Sequence, residues 1–103
     1  MPDDHGQPST QEMDLGAVLS AVADEHRRTV VRALARDVDG AERTCTSFGL
    51  PVSKSTRSHH FKVLREAGLV RQVDRGNMSG VTLRRAELEE RFPGLLELLV
   101  REG

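Results

Sequence analysis

Ser53-Lys54-Ser55-Thr56-Arg57-Ser58-His59-His60-Phe61-Lys62-Val63-Leu64-Arg65-Glu66-Ala67-Gly68-Leu69-Val70 reads as one helix with both of its ends marked. Ser53 is a good N-cap, because its hydroxyl accepts a backbone N–H left unpaired by the first turn, and Pro51 blocks any earlier start. Gly68 takes the left-handed conformation that closes helices, so residues 54–67 form a rod on the order of 20 Å long at 1.5 Å per residue. Phe61, Leu64 and Ala67 share an apolar face. The opposite face carries Lys54, Ser55, Ser58, His59 and Lys62, where a solvated helix would more often alternate Glu with Lys. With the partial positive charge and spare donors of its N-terminus, this half suits an anionic partner such as phosphate. A solvated face that binds nothing is the alternative.

Charge supports the first reading once it is divided along the chain. Residues 53–85 hold eight cations against Glu66 and Asp74, a local +6, which leaves −7 for the remainder of a chain of net charge −1. A basic surface on an acidic body is the electrostatic footprint of a DNA reader. The length of 103 residues fits one domain burying about two-thirds of its unfolded surface. With three Phe and no Trp or Tyr, the core must be mostly Leu, Val and Ala. No run approaches the roughly 18 apolar residues of a membrane span, and no basic end precedes an apolar stretch, so a cytoplasmic location is expected. Cys45 is the single cysteine, which precludes an intrachain disulfide.

Outward from the polar helix, the order of elements becomes legible. Residues 1–11, with Pro2, Gly6 and Pro8 and no periodicity, read as a disordered lead-in to a domain spanning 12–103. Leu15, Val18, Leu19 and Val22 place a stripe on a first helix beginning near Glu12. Asp24 caps a second helix with Val30, Val31, Leu34 and Val38 inward, Arg27, Arg28, Arg32 and Arg36 largely outward, and Gly40 as its end. Between Ala41 and Val52, Gly49 and Pro51 leave room for a short helical turn and loop. Leu69–Val73 and Val81–Leu83 read as two strands of a hairpin through Gly76, Asn77 and Gly80. A terminal helix over Glu87–Arg101, kinked or restarted at Pro93, carries Leu88, Phe92, Leu95, Leu96 and Leu99.

This order is that of a mainly α winged helix-turn-helix, about five helices with a two-stranded β-wing, and the residues resemble the ArsR family of bacterial transcriptional regulators. Ser55-Thr56 and Ser58 to Val70 match the family's recognition-helix signature almost position for position, running on into Arg75-Gly76 of the wing. Ala23-Asp24 with Arg27-Arg28 resembles the start of the family's second helix, and the likeness covers roughly residues 13–100. There are two departures. The Ala41–Val52 limb is short where the family has a full helix, and Arg57 stands where an apolar residue is usual. Arg57 either reaches a phosphate past the short limb or packs its aliphatic stem with its head in water.

The resemblance implies a homodimer that binds double-stranded operator DNA and blocks transcription. Two recognition helices would enter successive major grooves about 34 to 36 Å apart, on an inverted repeat. Ser55, Ser58 and His59 are candidates for base readout; Lys54, Thr56 and Lys62 for phosphates; Arg75 for the wing tip in or along the minor groove. Ser53, Arg57 and Asn77 complete the expected DNA-binding set. Leu15, Val18, Leu19, Leu95, Leu96 and Leu99 are expected to divide between core and dimer interface.

Other chemistry is less well supported. His59 and His60 point about 100 degrees apart on a helix and are poor joint ligands; His60 is expected to pack inside. Part of the family senses metals through a Cys-x-Cys pair, but Cys45 has Arg43 and Ser47 at those spacings, so no thiolate metal site is expected. No nucleophile elbow, P-loop or catalytic acid pair is present, which argues against an enzyme. No cofactor and no inducer is legible. A protein-interaction module or a nonspecific DNA-binding protein remain the alternative classes, separable by salt dependence and sequence preference.

Overall fold

The computed structural model describes residues 7–76 and 78–102. At the centre lies α3 (Lys54–Ala67), bounded as its sequence demands. The Ser53 hydroxyl oxygen accepts from the Thr56 amide at 3.1 Å. Gly68, at φ +93°, donates to the Arg65 carbonyl and Leu69 to the Leu64 carbonyl, the paired closure that needs a left-handed residue. Phe61, Leu64 and Ala67 face inward as expected, joined by His60.

Helices α1 (Leu15–Ala23) and α2 (Glu25–Arg36) pack against it. Asp14 caps α1 through the Ala17 amide, and Asp24 caps α2 through the amides of His26 and Arg27. Two arginines expected to point outward fold back instead. Arg27 Nε donates to the Ala21 carbonyl (2.8 Å) and Arg28 Nη1 to the Val22 carbonyl (3.0 Å), so both guanidinium groups sit on the negative end of α1.

The second helix stops at Arg36, four residues before Gly40, and Val38 is 81% exposed rather than inward. The physical reason is Arg85, whose Nη2 lies within 3.2–3.4 Å of the Leu34, Ala35 and Asp37 carbonyls and satisfies the helix end from across the fold.

The limb ahead of α3 contains one 3₁₀ turn, Cys45–Phe48, closed by Gly49 in the left-handed region. It is preceded by a strand absent from the sequence reading, β1 (Glu42–Thr44). The wing strands β2 (Val70–Asp74) and β3 (Ser79–Leu83) therefore belong to a three-stranded antiparallel sheet of order β1-β3-β2. A run as short and polar as Glu-Arg-Thr has no period to detect; it becomes a strand because β3 offers it an edge.

The terminal helix is broken into α4 (Arg85–Arg91) and α5 (Leu95–Glu102), and the break falls at Pro93 and Gly94, the latter at φ +89°. The segment expected to be a disordered lead-in is ordered from Gln7. The Pro8 carbonyl accepts from Arg84 Nη1 (2.6 Å), the Met13 carbonyl from Arg91 Nη2 (3.3 Å), and Ser9 N–H donates to Glu12 (2.8 Å) within a 3₁₀ turn, Thr10–Glu12. Met13 is buried, and its side chain and Pro8 cover Gly68 so closely that an added Cβ there would lie 3.0–3.1 Å from them. Residues 1–6 of that lead-in lie outside the described residues. One core of Val, Leu and Ala side chains with Phe61 joins helices and sheet, with Leu34, Leu64, Leu69 and Leu88 among its fully buried members.

Candidate nucleic-acid interface

Burial of Phe61 and Leu64 turns the other face of α3 to solvent, and the residues left there are those marked by the sequence. Ser53, Lys54, Ser55, Thr56, Ser58, His59 and Lys62 are all exposed. The Ser53 hydroxyl lies 3.3 Å from that of Ser55 and 3.0 Å from that of Thr56 at the helix start, a small polar knot beside the N-terminal amides. Arg57 is half-buried. It lines a cleft of about 520 Å³ between α3 and the wing, with Lys54, Ser58 and Lys62 on one wall and Gly76, Met78 and Ser79 on the other. Asn77 lies outside the described residues.

The eight cations of residues 53–85 do not form one basic surface. Arg84 is buried and paired with Glu87 (2.7 Å), Arg71 reaches the same carboxylate (3.2 Å), Arg85 pairs with Asp39 (3.3 Å), and Arg75 with Glu42 (2.7 Å). Arg65 Nη1 donates to Gln72 Oε1 at 2.6 Å, tying α3 to β2. Among the described residues Lys54, Arg57 and Lys62 have no acidic partner, which concentrates the available positive charge in the cleft. The linear count overstated the area of the basic surface because the neutralising acids, Asp39, Glu42 and Glu87, are brought against these arginines only on folding.

His60 is 6% exposed and sits under the start of α2. Its Nδ1 faces Arg27 Nη1 at 3.2 Å and its Nε2 faces Asp24 Oδ1 at 4.0 Å. An arginine can only donate, so Nδ1 accepts and the proton resides on Nε2, toward the carboxylate. Burial holds the His60 pKa below the usual histidine value despite the opposing pull of Asp24. This Asp24–His60–Arg27 link, invisible in sequence because 36 positions separate aspartate from histidine, fastens α3 to α2. Cys45 is half-buried beside the cleft, and burial raises its thiol pKa although Arg57 and Arg65 oppose the shift.

The apolar faces of the terminal helices also divide. Val18, Leu96 and Leu99 are buried within the protomer, whereas Leu15 (48%) and Leu19 (47%) remain exposed and Leu95 is half-buried. Leu98, not singled out in the sequence, is 47% exposed on α5. Its signal was the second stripe, Leu95 and Leu98 at i, i+3, masked by the four leucines crowded around Glu97.

Comparison with known proteins agrees with this geometry. The family described as bacterial regulatory proteins of the arsR family matches residues 24–72. YceK of Bacillus subtilis strain 168, an uncharacterized HTH-type transcriptional regulator, is 37% identical over 84 residues, covering 80% of this chain and 82% of YceK. The chain belongs to the ArsR family of bacterial transcriptional regulators. This ArsR-family chain is thus a DNA-binding regulator and not an enzyme. A solved ArsR family transcriptional regulator superposes with a TM-score of 0.66 at 20% identity, over 81% of this chain and 89% of that one. An ArsR-like regulator from Rhodococcus sp. RHA1 gives 0.57 at 27%, over 82% and 77%. The winged-helix architecture of this ArsR-family protein is shared with both, and no described helix is long and apolar enough to cross a membrane.

Proposed function

We propose that this chain acts in the cytoplasm as a homodimeric repressor that reads an inverted-repeat operator with paired α3 helices. The observation that carries the reading is the exposed, uncompensated face of α3: Lys54 and Lys62 have no acidic partner among the described residues, with Ser55, Ser58 and His59 between them beside the cleft. In this reading Ser55, Ser58 and His59 contact base edges; Lys54, Thr56 and Lys62 contact phosphates, and Arg57 adds its guanidinium from the cleft. Ser53 presents the helix N-terminus, and Arg75 with Asn77 forms the wing contact. Exposed Leu15, Leu19 and Leu98, with half-buried Leu95, support a second copy as the partner of α1 and α5.

The test is selection of bound duplexes from a random pool, with sedimentation of the protein alone and in complex. The expected result is a dimer that enriches two inverted half-sites whose centres are one helical turn apart, or a multiple of it. Enrichment of a single half-site by a monomer would overturn the dimeric reading. Equal retention of every sequence would leave a nonspecific DNA-binding protein.

A further inference from the structure

We propose that, given a wing that contacts DNA, Glu42 is a positioning residue for Arg75, reaching it across the middle strand of the sheet over the bare backbone of Gly80. The strand register makes this crossing possible. Thr82 pairs with Glu42 on one side and Arg71 on the other, and Gly80 pairs with Thr44 and Val73. Alternation along each strand puts Glu42, Gly80 and Val73 on one sheet face, and Arg75 is two residues beyond Val73 on that same side. Glu42 starts on the outer strand β1, crosses β3, and meets Arg75 where β2 ends.

Gly80 is what leaves room for the crossing. A Cβ at this position would stand 2.7 Å from Glu42 Cδ and 2.8 Å from its Cγ, so any side chain there displaces the carboxylate. The pairing it permits is two-pronged: Arg75 Nε donates to one Glu42 oxygen at 3.1 Å and Nη2 to the other at 2.7 Å. The backbone of Arg75 is fixed separately, its amide donating to the Met78 carbonyl (2.8 Å) while Gly76 N–H is held by Asp74 (3.0 Å). Backbone and side chain of the wing-tip arginine are therefore both set before any ligand arrives.

The geometry also decides what the arrangement does to binding. A guanidinium has five N–H donors, and Glu42 occupies Nε and one edge of Nη2. Both Nη1 protons and the second Nη2 proton remain on the opposite edge, the fork that fits a phosphate. Glu42 thus holds one edge and presents the other. Isolated exposed ion pairs contribute little, but a bidentate pair between a strand and a tight hairpin immobilises a side chain that DNA would otherwise have to order on binding.

The experiment uses the full chain and a duplex selected from a random pool by the wild type, with affinities measured at several salt concentrations. Glu42→Ala should weaken binding roughly two- to tenfold per half-site, the effect of leaving one long side chain to be ordered. Gly80→Ala should weaken it similarly, and the two substitutions together no more than either alone. In an Arg75→Ala background, Glu42→Ala should leave affinity unchanged or raise it, since only an acid near phosphates is then removed. Equal loss in both backgrounds would show that Glu42 merely supports the wing fold, and overturns the proposal. Tighter binding by Glu42→Ala in the wild-type background would make Glu42 a competitor of DNA, with the same consequence. A wild type that retains no duplex brings down the DNA reading and this inference together, whereas a wild type that binds with an indifferent Glu42→Ala variant removes the inference alone.

Discussion

His60 links the protonation of one buried ring to the seating of α3. Its folded pKa lies below its unfolded value of about 6.5, so the unfolded chain binds the extra proton first. The stability it contributes is therefore complete above about pH 6.5 and declines as pH falls from there toward the folded pKa. Asp24, held low chiefly by the Arg27 amide, contributes a second loss at pH below its unfolded value of 3.8. Urea midpoints followed from about pH 7.5 to about pH 5 should drop in the wild type and vary less in His60→Gln, in which no proton is taken up. Ser58 and His59, exposed on the same helix, divide from Lys62 in another measurement. Ser58→Ala or His59→Ala should compress the ratio of specific to random DNA binding by about 1 to 3 kcal/mol for each base edge no longer read. Lys62→Ala should weaken all duplexes and shallow the salt slope by roughly one for each phosphate no longer neutralised. Identical effects of both kinds of variant on every sequence would refute the assignment. For Cys45, whose half-buried thiol is held in its neutral form, Cys45→Ser should leave operator affinity unchanged with or without zinc, arsenite or peroxide.

Helix α3 is legible in sequence because its determinants are local: a hydroxyl three residues before the amide it caps, a glycine at the stop, and apolar residues at helical spacing. Gly68 adds a tertiary role to the local one. Its positive φ disfavours any side chain by about 1 to 2 kcal/mol, and Met13 and Pro8 fill the space where a Cβ would go. Gly68→Ala should therefore destabilise the fold by at least that amount in urea denaturation. Gly68→Asn should not recover it, because its side chain also pushes the segment 8–13 off the end of α3. The C-terminal end of α2 was less legible for the opposite reason. Residue 34 and residue 85 are far apart in the chain, so nothing near Arg36 announces that Arg85 will terminate α2 there.

Across the whole molecule, the division of leucines between core and surface separates folding from assembly. If the chain is the dimer proposed above, Leu19→Glu, at a half-exposed position, should convert it to a monomer in sedimentation while the helical circular dichroism signal is kept. Leu99→Glu places a charge where the wild type is buried, so it should lower stability itself by several kcal/mol, visible as a fall in the urea midpoint. If Leu19→Glu stays dimeric, α1 is not part of the interface. Hydrophobic period, caps, glycines and the proline break act over three or four residues, and these local signals suffice for five helices, a winged hairpin and the polar face of α3. Pairings between residues distant in the chain exist only in the folded arrangement. These include the strand at Glu42–Thr44, which forms because β3 presents unpaired backbone groups, and the packing of Gln7 to Met13 beneath Arg84 and Arg91. They also include the pairing of four arginines with three carboxylates, so that the cations left without an acidic partner among the described residues of this stretch, Lys54, Arg57 and Lys62, gather at one cleft. Charge and backbone hydrogen bonds act through space, and their partners become neighbours only when the hydrophobic core brings the chain together.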